Sequence, residues 1–529
     1  MAWGPRLAAI AGRPRLLLLL LLLTCLPACR RTTPAPPPEA ERSGTLRVLL
    51  HAEPASLDPS SGIDEVALAI APSLFSQLVA LDADMRLIPD LAESWSTSPD
   101  GLTYTFRLQE GVTWHDGRPF TAEDVRWTFE SLVKGPSLAR DAAARVAEVT
   151  APDDRTVVLR LRQTWSPFLA TLGGLGVFIL PRHLAGEPEF DRRPVGTGPF
   201  RLREWVPGRR IELEAHAGYH GRGPFLEQVV YSFVSPAVDL AALLLTGAVD
   251  ISLVRPPLEL LPRLQESPLL RVETRTSPGR YYCGFNLRRA PWSDRRVRLA
   301  LNAALDRPAL VAAAMPGQGA PAFGFYTPTV AWAYHAAARV PPFDRGRAAR
   351  LLDEAGLRPG AGGVRLRTRL LAPDYPPFND LARGFARQLR PLGLAVDVEL
   401  LPIQTLMDRV TKAHDFDLAL LGGNHGPDPD NLQLRFGSAG ALQYMGYASP
   451  ELDDALAAGA RAPDLAARAA AYARAQIILA RDLPIAPLAE GVRVTVCRRA
   501  VTGLAQFEAR GLVADNNFSL VRLQPQPRP

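Results

Sequence analysis

Lysine is almost missing from this chain. It stands only at Lys134 and Lys412 in 529 residues, so nearly all of the 60 basic residues are arginine, a compositional habit and not a device. Histidine is scarce and scattered, with eight in all. No HExxH, GxSxG, Walker loop or GxGxxG occurs, which removes the common signatures of zinc proteases, elbow-type hydrolases, P-loop proteins and dinucleotide binders. A strong charge of one sign is lacking too. The formal +6 includes Arg6, Arg13 and Arg15 and no acid in the first 28 residues, so the chain from Cys29 onward carries about +3. That is no nucleic-acid footprint, and no nucleic-acid partner is expected.

Long apolar runs are also absent, save one. Eight leucines from Leu16 to Leu23 follow the three arginines and precede Thr24-Cys25-Leu26-Pro27-Ala28-Cys29. A run of roughly ten residues spans about half of the ~30 Å hydrocarbon core. A short greasy core behind arginines and before small residues reads as a secretory signal, residues 1–28. Leu26-Pro27-Ala28-Cys29 resembles the bacterial lipobox, which makes Cys29 the lipidated first residue of the mature chain; ordinary cleavage near Ala28 is the alternative. RRTTPAPPPEAERSG (30–44) is polar and proline-rich. Residues 29–44 are therefore expected to be a disordered tether, reaching up to about 40 Å at ~3.1 Å per residue. Export and lipidation leave two of the four cysteines, Cys283 and Cys497. A disulfide is permitted outside the cytoplasm, and a pair of buried thiols is the equal alternative, because both lie in apolar, strand-like stretches.

From Thr45 the pattern is that of a globular α/β protein, long enough for two or three domains. LRVLL (46–50) reads as a buried strand. Tyr104, Phe106 and Leu108 alternate with Thr103, Thr105 and Arg107, the period of a half-buried strand, and TVVLRLR (156–162) is another. Val297, Ala300, Leu301, Ala304 and Leu305 share one helix face behind Ser293 as its cap. Asp344 caps a helix through Leu351-Leu352 that stops at Gly356. Leu381, Phe385 and Leu389 stripe a third helix ending near Gly393, and Val396, Val398 and Leu400 then alternate in a strand.

GVTWHDGRPFTAEDV (111–125) gathers His115, Asp116, Glu123 and Asp124. Metal or acid/base chemistry is one reading. The structural reading is stronger: Asp116-Gly117 is a turn pair, and Thr121 precedes Asp124 by the three residues of a capping box. Glu123 and Asp124 sit in the first helical turn, where the macrodipole favours them, and His115 flanks a hairpin. His216 and His220 have i, i+4 spacing, but Gly218 and Gly221 argue for a surface loop over a metal pair.

The stretch 87–130, LIPDLAESWSTSPDGLTYTFRLQEGVTWHDGRPFTAEDVRWTFE, resembles the signature of the extracytoplasmic solute-binding proteins that serve peptide and nickel ABC importers. Six further blocks resemble that family in order: 195–205, 285–307, 348–356, 416–431, 447–459 and 478–491. The resemblance runs from about Thr45 to the end. It implies an α/β fold of the two-lobed periplasmic-binding-protein type (class II-like) with an extra domain inserted in lobe I. Carried onto this chain, lobe I holds 45–75, 190–275 and 500–529, the inserted domain 76–189, and lobe III 276–499. It implies hinged closure on a peptide or similar small solute, an ABC permease and ATPase subunits as partners, a membrane reached through the lipid, and no cofactor, catalysis or metal. A monomer is expected.

The same resemblance places the ligand loop at GGNHGPDPDN (422–431). In the dipeptide-binding branch a tryptophan and an acid lie just upstream of the Asp-Pro. Here Gly422, Gly423, Asn424 and His425 stand there, so the tryptophan is missing and Asn424 or His425 falls where the acid would be. No arginine in LLAPDYPPFND (370–380) matches the one that receives the dipeptide carboxylate. The two glycines would widen the pocket for a bulkier ligand. Asp428 and Asp430 are candidates, the alternative being that Asp428-Pro429 only shapes the loop. Tyr281, Tyr282 and Asn286, at the entry to lobe III, are ligand contacts or hinge packing, and Glu53 after the first strand is a further candidate. A sensor without transport, a nickel or metal-chelate binder through His425 and Asp428, and a peptide hydrolase are the competing readings.

Overall fold

The computed structural model describes residues 42–61, 65–82, 86–137, 139–174, 177–233, 240–254, 256, 260–424, 426, 428–504 and 517–524, without the side chains of Glu65, Arg275, Thr276, Pro278, Asn424 and Arg493. The leader, the lipobox, residues 29–41 of the tether and His425 lie outside these residues; the expected tether end at 44 is too late, because the Ser43 N–H donates to the Phe225 carbonyl and the Gly44 carbonyl accepts from the Glu227 N–H, each at 3.1 Å, which ties these residues to the body.

One sheet of eleven strands runs through the molecule. Its order is Leu394–Leu401, Leu366–Pro373, Leu418–Asn424, Leu270–Phe285, Ile485–Arg498, Ile251–Ser252, Thr45–Leu50, Gln228–Phe233, Arg210–Ala215 and Phe200–Val206, with Gly319–Pro321 added on Ile485–Arg498. Two long antiparallel strands, Leu270–Phe285 and Ile485–Arg498, carry the chain from one end of this sheet to the other. Their pairing breaks register between Thr276 and Arg280, so the ladder bends midway.

Different apolar residues cover the two ends. Around Thr45–Leu50, the core gathers Leu46, Val48, Phe75, Phe200, Ile211, Tyr231 and Cys497. At the far end, one face packs Phe285, Leu301, Leu370, Phe385 and Leu418, and the opposite face packs Tyr282, Tyr326, Phe416, Tyr444 and Tyr472. A separate four-stranded antiparallel sheet (Ala92–Thr97, Thr103–Leu108, Thr156–Leu161, Val146–Asp153) has its own core of Tyr104, Phe106, Trp114, Phe129 and Leu159.

Local signals explain most elements. Tyr104, Phe106 and Leu108 are buried in alternation, as the period of two requires. The helix Phe378–Leu389 buries Leu381, Phe385 and Leu389 completely, about 1.5–3 kcal/mol each, and Gly393 turns the chain at φ +75. Asp344 accepts the Arg347 N–H and caps Arg345–Glu354, with Gly356 at φ +84 just beyond. One cap differs from expectation. Ser293 belongs to the preceding turn, its N–H donated to the Arg289 carbonyl, so Asp294 takes the extended cap position and accepts from the Arg296 N–H at 2.8 Å.

Candidate functional site

The histidine and carboxylate cluster is a packing device. The Asp124 carboxylate accepts from the Thr121 N–H at 2.9 Å and hydroxyl at 3.3 Å, and its other oxygen accepts from the Arg182 N–H at 3.1 Å. His115 is buried, not merely beside a hairpin. Its Nδ1 accepts from the Gly196 N–H at 3.1 Å, so its Nε2–H donates to the Gly198 carbonyl at 3.1 Å. Two of the resemblance blocks are thereby tied together by one imidazole. Burial and the neighbouring His216, edge-on at 4.9 Å between ring centres, hold His115 neutral with its pKa pushed down to about 3. His216 and His220 do lie in a loop, but both rings are packed away from the surface, and His220 Nε2 contacts Asp90 at 2.9 Å. Among the described residues no group of three or more His, Cys, Asp or Glu could hold a metal ion.

The place where a guest could be held is set by the sheet. Strands Leu366–Pro373, Leu394–Leu401 and Leu418–Asn424 run parallel, and open parallel sheets present ligand crevices at their carboxyl ends. Those ends lead into Asp374-Tyr375 and into the 424–430 loop. Tyr375 is 43% exposed there, and Phe378 receives the edges of both Tyr375 and Tyr281, each with ring centres 5.1 Å apart. Gly422 does not widen this spot, because Phe378 and the Arg280 carbonyl fill the volume: an added Cβ would meet them at 3.1 and 2.8 Å. Gly423, on the opposite face, is exposed, and a Cβ there would meet Arg435 Nη2 at 3.3 Å.

The Asp-Pro-Asp turn is pinned from two sides. Both oxygens of buried Asp428 accept from Arg468 Nη2, at 2.7 and 2.8 Å, and Asp428 also accepts the Asp430 N–H at 3.0 Å. Arg468 in turn stacks over Trp332 and Tyr472. Asp430 reaches the other way. Its Oδ2 accepts from Trp165 Nε1 at 2.9 Å, a residue of the segment that carries the four-stranded sheet, and Tyr472 donates to its Oδ1 at 3.4 Å. Burial raises the Asp430 carboxyl above its ordinary range. Next to it the Ser166 N–H donates to the Ala460 carbonyl at 2.7 Å and the Ser166 hydroxyl to the Ala462 carbonyl at 2.5 Å.

The remaining candidates fall in different places. Asn286 is 1% exposed, and its amide donates to the carbonyls of His414 and Phe416, which joins two segments of the core. Tyr282 is buried, with its hydroxyl 3.5 Å from Arg435 Nη1. Glu53 accepts from Trp205 Nε1 at 2.7 Å and the Gly208 N–H at 2.9 Å. It lines a cavity of about 960 Å³ with residues such as Arg192, Arg203 and Trp205, none of which comes from the 270–490 half of the chain. The backbone of Asn424 pairs with Gly279 at the strand end. Cys283 and Cys497 are both buried free thiols, which decides between the two alternatives left by the sequence.

Residues 86–443 match the family described as "Bacterial extracellular solute-binding proteins, family 5 Middle". This chain belongs to that family. Its family 5 relatives include Protein XP55 of Streptomyces lividans, 32% identical over 456 residues that cover 81% of this chain and 80% of that protein. The peptide transport periplasmic protein SapA of Salmonella typhimurium is 29% identical over 84% of this chain and 86% of its own length. The substrate-binding protein CtaP of Listeria monocytogenes has the same fold, with a TM-score of 0.81 over 92% of this chain and 100% of that one at 24% identity. DppA of Helicobacter pylori, solved with the peptide STSA, superposes with a TM-score of 0.73 at 26% identity, covering 92% and 99% of the two chains. The fold is thus that of the family 5 binding proteins, a family of solute binders and not of enzymes. No described helix is long and apolar enough to cross a membrane.

Sequence reasoning on this family 5 chain missed three groups that the fold brings to the site. In sequence, Tyr375 and Phe378 belong only to a block without arginine. Arg435 is a helix residue with no motif around it. Arg280 and Glu490 form an ion pair of 3.0 Å with side chains 2% and 6% exposed. Their one signal in sequence is the apolar or aromatic neighbours beside each, Tyr281-Tyr282 after Arg280 and Leu488-Ala489 before Glu490.

Proposed function

We propose that this protein is the substrate-binding component of an ABC importer, taking up a peptide or similar small solute and delivering it to a membrane permease. On this reading, the body built on 45–75, 190–275 and 500–529, with 76–189 attached, hinges against 276–499 about the two crossing strands. One observation carries the reading. The Trp165–Asp430 and Ser166 contacts join surfaces far apart in sequence beside the ligand loop, as two bodies closed on a guest would be joined. Lipidation at Cys29 and the proline-rich tether fit an extracytoplasmic protein held at the membrane and acting as a monomer. The name of its relative SapA, a peptide transport protein, and the peptide held by DppA point to the same cargo.

The test is ligand-dependent stabilisation. A cognate peptide at 1,000 times its Kd should add about 4 kcal/mol to unfolding stability. Native mass spectrometry of the purified protein should show a co-purifying small molecule. Failure of every peptide and small-solute pool to raise the melting temperature would overturn the proposal.

A further inference from the structure

Arg280 and Glu490 lie opposite each other on the two crossing strands, next to the register break. Arg280 Nη2 donates both to Glu490 and to the Gly324 carbonyl, at 3.0 and 2.8 Å. Arg280 Nη1 and Glu490 Oε2 are buried and have no hydrogen-bond partner. Leaving one such group unmet costs about 1–3 kcal/mol, more when it is charged, so a half-used ion pair in a core calls for an explanation. Packing supplies none, because well-packed apolar side chains often replace a buried ion pair at no loss of stability.

Register shows what lies beside the pair. Across the sheet, Glu490 pairs with Arg280 and Arg280 with Gly423, so the three residues stand in one row on the same face. Gly423 has no side chain to cover Arg280, and it is exposed at the carboxyl end of its strand. Arg435 stands on the far side of that gap. An unused guanidinium N–H, a second arginine and an unused carboxylate oxygen thus lie about exposed Gly423 at the carboxyl end of its strand.

We infer that Arg280 and Arg435 receive a carboxylate of the bound solute over Gly423, with Glu490 Oε2 accepting an N–H from the same end of that solute. A peptide's last residue carries both groups, a carboxylate and its own amide N–H, a few ångströms apart. This inference rests on the solute-binding reading and deepens it. The chain lacks an arginine in 370–380, and the pair on the crossing strands supplies the anchor from another place. Guanidinium is the suitable partner because its planar fork matches a carboxylate and stays charged when desolvated.

The test uses three peptide pools of three to six residues on the whole mature protein, read by calorimetry and thermal shift. The first is free of Asp and Glu and keeps its C-terminal carboxylate, the second is the same pool amidated, and the third is amidated with one Glu side chain. The first pool should bind at least 30-fold more tightly than the second. Rescue by the third pool alone would place a side-chain carboxylate, not the chain end, over Gly423. Arg280→Gln with Glu490→Gln keeps a hydrogen-bonded pair without charge and should bring the preference close to one. Arg435→Gln leaves the buried pair intact and should reduce the preference at least threefold, so the inference stays testable if the double variant fails to fold. Equal binding of the carboxylate and amide pools would overturn this inference while leaving the solute-binding reading in place. Binding of none of the pools would instead count against peptide capture itself.

Discussion

Trp165→Phe isolates the contact that bridges the two bodies. The substitution keeps an aromatic ring for Arg145 to cover, now 4.1 Å above the Trp165 ring, and removes only the Nε1–H that reaches Asp430 at 2.9 Å. Hydrogen bonds to a charged acceptor contribute about 1.5–3 kcal/mol, and Tyr472 already donates to the other oxygen, Oδ1, at 3.4 Å, so it does not replace the lost donor. In the proposed hinge this bond exists only when the bodies are closed. Its loss should therefore lower the closed-to-open ratio by about 10- to 150-fold. A dye pair on Lys134→Cys and Ala470→Cys, both exposed positions, reads that ratio in a chain expressed from Arg30, whose other thiols, Cys283 and Cys497, are buried and will not label. If the unliganded protein is mostly open, the loss appears as an equal rise in Kd. If it is mostly closed, it appears as a fall in the closed fraction. An unchanged Kd together with an unchanged closed fraction would refute the argument, because the contact would then be present in both states or worth nothing.

Further expectations concern the scaffold. His115 and His216 have pKa values pushed down to about 3 and about 4 by burial. The unfolded chain therefore binds protons near pH 6.5 that the folded protein refuses, and stability should fall as pH drops through 6.5 towards 4, by about 1.4 kcal/mol per pH unit per histidine. Urea melts of His115→Gln should show a shallower pH slope than the parent; an identical slope would show that His115 takes no part. Gly196→Ala would place a Cβ 1.9 Å from the Leu74 carbonyl oxygen, so a loss of about 3 kcal/mol or outright misfolding is expected in a denaturation curve. Asp344→Ala should cost about 1 kcal/mol through the lost helix cap, measured the same way.

The fold was legible wherever a local rule and the tertiary packing agreed. The alternation at Tyr104, Phe106 and Leu108, the Thr121–Asp124 box and the Asp344 cap each follow from a few neighbouring residues. Ser293 misled because two adjacent residues both make good caps, and only the preceding turn decides between them. Sequence marks His115 as structural but not as buried, since its partners at Gly196 and Gly198 are some eighty positions away. The site was least legible for the same reason. Asp428 carries no local mark of its Arg468 partner forty residues on, and Glu490 none of Arg280, more than two hundred residues before it.

That distance has a physical consequence for how such a protein can change its cargo. The blocks that identify the family are mostly committed to packing: His115 on the glycine turn, Asp124 on its helix start, Asp428 on Arg468. Altering them costs stability before it touches a ligand. Around Gly423 the constraint is of another kind: the backbone, at φ +154, holds that position to glycine, and Arg280, Glu490 and Arg435 are the side chains that can change. Selectivity can then shift by exchanging Arg280, Glu490 or Arg435 beside Gly423 while the closing contact at Trp165 and Asp430 is kept. Accordingly, a substitution in the row should alter which solutes bind, and one in the closing contact should weaken all solutes by the same factor. Equal, solute-independent losses from both kinds of variant would break this separation between grip and choice.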